Sequence, residues 1–409
     1  MRHIFTSVDI GSDTIKVVTS ELYRGRYNLL ATSCVKSKGI KKGLITDINL
    51  ASASVRQAIK EVEAMLGFEI KKVISIVPSY YADFTLVTGE VNIKTGVVTD
   101  RDITDVLQSA IKNNIMPSKE MVTVLPIEFV LDSGVIKEPL NQNSKTMQVR
   151  TIMVTTPKKN IYSVLSLFES IGIEVVDISL GCIGDIYALA DKNVGEGISS
   201  VINIGEEKTE ITFYNKGIAV KHGILNIGSQ NIDNDIAYMY KIDNKLARDL
   251  KENFALAYKN TSSLNDVIEI KNKNGQTLKI NQYEVSEIAS SRIDEILTLA
   301  KQELNSLSSH KPNQIYVTGG ITNMVNFEYI CRENLGKCAI INSVNLIGLR
   351  NNKFSSAMGN IVYFVNKLKL KGKDYSMVSS EDSIALSTPR KNASNDTMLG
   401  KVFEYFFGE

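Results

Sequence analysis

Two glycine-containing turns, far apart in the chain, carry the residue types that can hold phosphate groups. In the first, Asp9 ends an alternating apolar segment, and Gly11 and small hydroxyl side chains fill the turn before a second segment begins at Thr14, a pattern that predicts a tight β-hairpin. Backbone N–H groups in such a turn can converge on an anion, and the Asp9 carboxylate could hold a magnesium ion through water. The second turn repeats this order with Asn203 and Gly205. Two such hairpins facing each other across a cleft can hold a polyphosphate between them.

The elements predicted around the two turns follow the same order in both halves of the chain. Each half has a strand, the turn and two further strands, at 5–20 and 27–35 in the first half and at 200–204, 210–214 and 218–223 in the second. The repeat predicts a duplicated α/β fold with one turn in each copy.

The second half continues with a mainly helical lobe. Apolar periodicity predicts helices at 229–240, 243–258 and 282–307, with a small hairpin between the last two. A buried strand further on ends at Gly319 and Gly320. Glycines after a buried strand let a flat base or a ribose approach the backbone, although they can also simply end the strand.

A different pattern interrupts the first half at about 84–160. Strand, helix, strand and strand are predicted there at 85–93, 100–113, 121–132 and 147–155. The intervening segments have the polar and glycine-containing composition of loops. We expect a small separate module inserted into the first domain.

Composition excludes several classes of function. The 409 residues carry 47 Lys and Arg against 45 Asp and Glu, without a basic block that contains aromatic residues, so we expect no nucleic-acid partner. The four scattered cysteines suit core thiols in a reducing cytosol better than a zinc or redox site. No apolar run approaches the roughly 20 residues of a spanning helix, and no signal segment precedes the first strand. We therefore expect the protein to stay in the cytoplasm.

The last part of the sequence combines a polar segment with an amphipathic one. Residues 371–395 lack apolar periodicity and are predicted to be a disordered linker. Residues 396–409 predict a helix that is too short to span a bilayer but can lie in its surface. The apolar residues on one face of this helix are Met398, Leu399, Val402, Phe403, Phe406 and Phe407. Packing of the helix on the body of the protein or on a partner is the alternative.

These motifs together resemble the nucleotide-binding fold of actin, Hsp70 and the sugar kinases, with phosphate loops at 9–14 and 203–210 and an adenosine loop at 317–321. The inserted module, the segment at 42–47 and the C-terminal tail are similar to those of the bacterial cell-division family FtsA. The resemblance implies an actin-like (ribonuclease-H-like) duplicated fold. It also implies an ATP-binding protein that forms filaments with itself on membrane lipids and anchors the tubulin homologue FtsZ at the septum.

The resemblance and the turns together define the predicted binding residues. ATP or ADP is expected at Gly11, Ser12, Asp13, Thr14, Lys16, Gly205, Lys208, Thr209, Gly228, Ser229, Lys251, Gly319, Gly320 and Ile321. Magnesium is expected at Asp9, through water. Arg292 lies where the family receives the acidic C-terminal peptide of FtsZ, and a guanidinium suits a carboxylate through bidentate contacts. The alternative for Arg292 is an ordinary solvated helix face. No catalytic residue is identified.

Some residues depart from the superfamily pattern. Asn203 stands where an aspartate is usual, and an amide cannot carry the charge that orders magnesium and the attacking water, so we expect at most weak ATP hydrolysis. Glu207 and Lys208 replace small residues, and Lys208 could neutralise a phosphate directly. Arg248 stands where a glutamate is frequent.

The resemblance also implies a domain plan. The first core subdomain is expected at 1–83 plus 161–195, with the inserted module at 84–160 for self-assembly and contacts with later divisome proteins. The second core subdomain is expected at 196–228 plus 308–370, and the fourth lobe, on the adenosine side and with the FtsZ-peptide site, at 229–307. The protein is expected to be peripheral on the cytoplasmic face of the cell membrane at the division site.

Two other functions are compatible with the same fold. One is an actin-like adaptor of pilus assembly, which has a similar inserted module but lacks the amphipathic tail. The other is a small-molecule kinase, which needs a catalytic base and an acceptor pocket. The tail at 396–409 argues against the first alternative, and Asn203 argues against the second.

Overall fold

The computed structural model describes residues 2–112, 114–189, 196–341, 344, 346, 349 and 351–379, so the amphipathic segment at 396–409 lies outside the described residues. The strands are β1 (His3–Ile10), β2 (Thr14–Tyr23), β3 (Arg26–Lys36), β4 (Ile40–Lys41), β5 (Leu44–Ile45), β6 (Lys72–Val77), β7 (Asp83–Asn92), β8 (Lys119–Leu131), β9 (Gly134–Ile136), β10 (Thr146–Pro157), β11 (Glu174–Leu180), β12 (Ile198–Ile204), β13 (Thr209–Asn215), β14 (Ile218–Leu225), β15 (Val267–Lys271), β16 (Thr277–Asn281), β17 (Gln314–Thr318) and β18 (Ala339–Ile341). The helices are α1 (Ile48–Leu66), α2 (Asp100–Ile111), α3 (Lys158–Ser170), α4 (Gly181–Asp185), α5 (Gln230–Tyr240), α6 (Asn244–Asn253), α7 (Gln282–Leu307), α8 (Phe327–Leu335) and α9 (Ser355–Leu370).

Two five-stranded sheets of the same topology form the body of the protein. The first has the strand order β11-β6-β1-β2-β3 and the second the order β14-β13-β12-β17-β18. In each sheet three antiparallel strands come first in the chain, and the leading strand, β1 or β12, also pairs in parallel with a later strand. The predicted duplicated α/β fold is therefore confirmed.

Local sequence signals account for where helix α1 begins and ends. The Asp47 side chain accepts a hydrogen bond from the backbone N–H of Leu50, which satisfies a donor that the first turn would otherwise leave unpaired. Gly67 adopts the left-handed conformation, with φ 83°, and ends the helix. The buried positions between them, including Val55, Ile59 and Val62, pack into the core of the first half.

The module inserted after β6 is a four-stranded antiparallel sheet, in the order β7-β10-β8-β9, covered by helix α2. Its strand, helix, strand, strand pattern agrees with the prediction except for the short strand β9, which the sequence pattern did not indicate. Helix α2 lies close to β7 because Gly89 has no side chain. A Cβ atom at Gly89 would lie 2.4 Å from the carbonyl oxygen of Val106.

The two halves meet where helices α4 and α9 touch through their backbones. A Cβ atom on Gly359 would lie 1.9 Å from the carbonyl oxygen of Gly184, so only glycine allows the helices to come this close. We call α4 and α9 the hinge helices. Within the described residues, no helix is long and apolar enough to cross a membrane.

The prediction of a disordered linker is wrong for residues 371–379, which pack against β1 and α9. The Met377 N–H donates to the Ile4 carbonyl oxygen at 3.0 Å, and the Met377 side chain is buried. The Tyr375 ring lies edge-on to Phe364, with ring centroids 6.1 Å apart. Two apolar side chains are enough to dock this polar segment, although they are too few to form a periodic pattern in the sequence.

Candidate functional site

A cleft of about 680 Å³ lies between the β1–β2 turn and the β12–β13 turn. Most of the predicted nucleotide-binding residues line it, together with Asp9; these residues are Gly11, Ser12, Asp13, Thr14, Lys16, Gly205, Lys208, Ser229, Lys251, Gly319, Gly320 and Ile321. Thr209 and Gly228 do not line the cleft. Thr209 is buried and its hydroxyl donates to the Ile227 carbonyl oxygen at 2.8 Å.

The two turns have the same local geometry. The N–H of Gly11 donates to the carbonyl oxygen of Thr14 at 3.2 Å, and the N–H of Gly205 donates to that of Lys208 at 2.9 Å. A side chain at Gly11 would not fit, since its Cβ would lie 2.8 Å from the Thr14 oxygen. Both turns therefore carry side chains from corresponding positions into one cleft.

The glycine pair after β17 has two separate roles. Gly319 has φ 104°, and a Cβ atom there would lie 2.2 Å from the carbonyl oxygen of Ile204, so packing against the second turn requires this glycine. A Cβ at Gly320 would meet no heavy atom within 4 Å, which leaves open space at this edge of the cleft. Asn323 and Asn351 line the same edge. This end of the cleft has the shape and polarity to accept a base and a ribose.

The cations at the phosphate end of the cleft are already paired with carboxylates. The ammonium of Lys16 lies 2.9 Å from Asp9, that of Lys208 lies 3.1 Å from Glu210, and that of Lys36 pairs with Asp13. The Lys208 ammonium also donates to the Ser79 hydroxyl at 3.1 Å, across the boundary between the two halves. Lys251 pairs in the same way with the buried Asp233, at 2.6 Å.

The Arg248 guanidinium joins both turns. Its Nη1 donates to Asp13 in the first turn at 2.7 Å, its Nη2 donates to Glu206 in the second turn, and its Nε donates to Asp233 on α5 at 3.2 Å. We call Arg248, Asp13, Glu206 and Asp233 the Arg248 cluster. It spans the cleft from one half of the protein to the other.

Carboxylate pKa values in the cleft follow from burial and from these pairings. Burial raises the pKa of Asp13, but hydrogen bonds from Lys36 and Arg248 outweigh it and hold the pKa below its ordinary value. For Glu206, burial and the neighbouring Asp13 charge raise the pKa despite Arg248. Burial also raises the pKa of Glu210, but Lys208 and His222 outweigh this effect and hold the pKa well below the ordinary value.

The residues present do not fit a magnesium ion at Asp9. The Asp9 carboxylate is paired with Lys16, and the facing position on β12 is the neutral Asn203. The Asn203 amide donates to Asp185 at 2.9 Å, and Asp185 also accepts from the Ser356 hydroxyl at 2.5 Å. Within the described residues there is no group of three acidic, histidine or cysteine side chains that could hold a metal ion.

Arg292 lies on α7, away from the cleft, and also has carboxylate partners. Its Nε and Nη2 donate to the two oxygens of Asp235 at 2.6 and 3.1 Å, and its Nη1 pairs with Glu295. A bidentate contact with a carboxylate therefore exists within the chain, while the predicted contact with a peptide carboxylate stays a prediction. Two exposed apolar side chains of α5, Tyr238 and Met239, lie three and four residues beyond Asp235 and share its helix face.

Sequence reasoning did not identify the partners of Arg248 or the buried Asp185. Asp13 was predicted only as a phosphate-binding residue, although a carboxylate repels phosphate unless a cation lies between them. The acidic side chains of Asp13 and Glu206, one in each turn, were the available signal. Their convergence on one guanidinium depends on a contact between residues 235 positions apart.

The duplicated sheets, the hinge helices and the cleft between the turns define the actin-like class of proteins. The structure resembles a PilM-PilN type IV pilus biogenesis complex (TM-score 0.61, 12% identity, covering 88% of this chain and 98% of that chain). It also resembles MreB5 of Spiroplasma citri bound to ADP (TM-score 0.55, 13% identity, covering 90% of this chain and 98% of that chain). At these identities the likeness concerns the fold alone.

Sequence comparisons narrow this class to one family. The family models for cell division protein FtsA and for the SHS2 domain inserted in FtsA match residues 200–359 and 79–155. Cell division protein FtsA of Streptococcus pneumoniae serotype 2 (strain D39 / NCTC 7466) is 28% identical over 361 residues, covering 86% of this chain and 78% of that protein. That of Bacillus subtilis (strain 168) is 25% identical over 388 residues, covering 94% of this chain and 88% of that protein. The chain belongs to the FtsA family of cell-division proteins.

Proposed function

We propose that the protein polymerises on the cytoplasmic face of the cell membrane at the division site and anchors FtsZ filaments there. The observation that carries this proposal is the match of both FtsA family models, including the inserted module at 79–155. The module, which the structure describes as a separate sheet with one helix, is the proposed surface for self-assembly and for later divisome proteins.

The membrane contact is proposed for the amphipathic segment at 396–409. The described chain reaches Ser379 beside the beginning of β1, where Met377 is bonded to Ile4. Ile10, at the other end of β1, borders the cleft about 20 Å away along the strand. The described chain therefore ends on the side of the first half that is remote from the cleft, which supports a membrane contact that leaves the cleft free.

Liposome co-sedimentation tests the membrane contact. The intact chain should pellet with vesicles of phosphatidylethanolamine and phosphatidylglycerol, and a chain ending at Asn395 should not. Phe403→Ser combined with Phe406→Ser should reduce pelleting because it removes apolar area from the proposed buried face. Lys401→Ser on the opposite face is the matched control. Equal pelleting of the intact and shortened chains would refute the contact.

The FtsZ-peptide site is proposed at Arg292 and the neighbouring end of α5. Tyr238 and Met239 are 88% and 62% exposed, so an acidic peptide with apolar residues can contact both kinds of group at this place. An incoming carboxylate has to share the Arg292 guanidinium with Asp235 or displace Asp235 from it. Arg292 thus offers a charge-assisted contact that the chain itself partly occupies.

Two variants with opposite expected effects test this site. Arg292→Glu should weaken binding of the FtsZ C-terminal peptide, measured by fluorescence anisotropy, because it replaces an attractive charge by a repulsive one. Asp235→Asn should strengthen binding because it removes the internal competitor while keeping the side-chain shape. Tyr238→Ala tests the apolar contact. Unchanged affinity in the first two variants would remove Arg292 from the site.

We also propose that the cleft binds ATP or ADP, with the base near Gly320 and the phosphates between the two turns, and that the nucleotide sets the conformation for assembly. The open space at Gly320 and the matching geometry of the turns support this proposal. Magnesium is left out because Asp9 is paired with Lys16. Little or no hydrolysis is expected with Asn203 in place of an acid. Calorimetric titration with ATP and a phosphate-release assay test both points, and rapid turnover with a small alcohol or carboxylate would favour a kinase instead.

A further inference from the structure

The Arg248 cluster connects parts of the protein that a nucleotide would otherwise have to connect. Asp13 belongs to the first half, Glu206 to the second half, and Arg248 and Asp233 to the helical lobe. One planar guanidinium can make several fixed N–H contacts at once, which makes arginine better suited to such a junction than lysine. A single side chain therefore joins three lobes at the mouth of the cleft.

The charges of the cluster balance without any ligand only when two neighbouring lysines, which pair with Asp13 and Asp233, are counted with it. Three carboxylates, those of Asp13, Glu206 and Asp233, face three cations, namely Arg248, Lys36 and Lys251. Asp233 is only 1% exposed, and Arg248 is about three-quarters buried. Pairs in such a partly desolvated place are stronger than pairs on the surface, and removing one partner leaves a charge without compensation.

We propose that Asp13 and Glu206 substitute for nucleotide phosphates as the partners of Arg248, so that they hold the cleft closed and ATP enters only by taking Arg248 from them. This inference rests on the proposed nucleotide site and adds how that site is regulated. Most nucleotide-dependent closures are strengthened by the ligand. In this chain the ligand competes with the ion pairs of Arg248 with Asp13 and Glu206, which we call the internal tie.

The two carboxylates oppose a polyphosphate in two ways. They occupy the guanidinium that would otherwise pair with a phosphate, and once released they stand as negative charges beside it. The raised pKa of Glu206, which burial and Asp13 cause, is consistent with two acids held close together. Neutralising Asp13 and Glu206 should therefore remove both the competition and the repulsion.

Calorimetric titration of the full chain with ATP tests this inference. The double variant Asp13→Asn with Glu206→Gln keeps the side-chain shapes and should bind ATP at least about tenfold more tightly than the unmodified protein. Glu252→Gln is the matched control, because Glu252 lines the same cleft and is not part of the Arg248 cluster. The control should change the affinity by much less. Arg248→Gln should not strengthen binding, because it removes the cation for which ATP competes.

Amide hydrogen exchange without nucleotide gives a second readout. Exchange at residues 11–14 and 205–208 should be faster in the double variant than in the unmodified protein, because the tie across the cleft is weakened. Equal ATP affinity in the two proteins, or equal gains in the double variant and in Glu252→Gln, would overturn the inference and leave the nucleotide site standing. If no variant binds ATP, the nucleotide proposal fails. In that case, exchange that is equal in the double variant and the unmodified protein would also refute the internal tie. Faster exchange in the double variant would support the tie as a closure that does not depend on a ligand.

Discussion

The carboxyl group of Asp185 is buried between the hinge helices. Replacing Asp185 by asparagine should remove a pH dependence of the free energy of unfolding. The side chain is 2% exposed and accepts hydrogen bonds from the Asn203 amide and the Ser356 hydroxyl, neither of which is charged. Burial raises the pKa of Asp185 from 3.8 to about 7. The folded protein therefore keeps a proton on Asp185 at pH values where the unfolded chain has lost it.

The size and sign of the effect follow from this difference in pKa. Between pH 3.8 and about 7 the folded state binds one proton more than the unfolded state, so the free energy of unfolding falls as the pH rises. The slope is about 1.4 kcal/mol per pH unit, and the full loss is about 4 kcal/mol. From pH 5 to pH 8 the loss is about 3 kcal/mol, because the two states again bind equal numbers of protons above pH 7. The asparagine variant lacks this contribution.

Urea unfolding at several pH values tests the prediction. Far-UV circular dichroism is a suitable probe because the chain has no tryptophan. The stability difference between Asp185→Asn and the unmodified protein should grow by about 3 kcal/mol in favour of the variant from pH 5 to pH 8. Asp266→Asn, at an exposed acid, is the matched control and should show no such growth. Parallel pH profiles for the protein and the Asp185 variant would refute the reasoning.

Replacing Gly359 by alanine should cost about 1–3 kcal/mol or more, because the new Cβ would collide with the carbonyl oxygen of Gly184. A lowered Tm is expected for this variant and an unchanged Tm for Gly320→Ala, whose Cβ meets no neighbour; equal Tm values would contradict the close contact of the hinge helices. Replacing the buried Met377 by alanine should cost about 2–5 kcal/mol. Stability equal to that of the unmodified protein would mean that residues 371–379 are not docked in solution.

Local sequence patterns predicted the hairpins and the long helix well because these elements depend on interactions between residues that are close in the chain. The alternation around Gly11 and Gly205 indicated both hairpins, and the strands pair with Asp9 opposite Lys16 and Asn203 opposite Glu210. The predicted bounds of the long helix at 282–307 agree with those of α7. Helix α6 is shorter than predicted and ends at Asn253.

The chemistry of the cleft depends on contacts that leave no periodic signal in the sequence. Arg248 and Asp13 are far apart in the chain, as are Asn203 and Ser356, and only the folded arrangement of the two halves brings each pair together. An acid within a turn of the phosphate-binding type indicates that a cation pairs with it there. It does not indicate which cation pairs with this acid, because the sequence contains several lysines and arginines that could form the pair.

The docking of residues 371–379 on β1 also gives the protein a route for mechanical load. One path by which tension on the chain beyond Ser379 reaches the body is the hydrogen bond from Met377 to Ile4. β1 is the central strand of its sheet, with β2 on one side and β6 on the other, so the force spreads as shear into both neighbours. The same strand ends beside Asp9. If the proposed membrane contact of residues 396–409 is made, force on that segment acts on the strand that carries the first turn of the cleft.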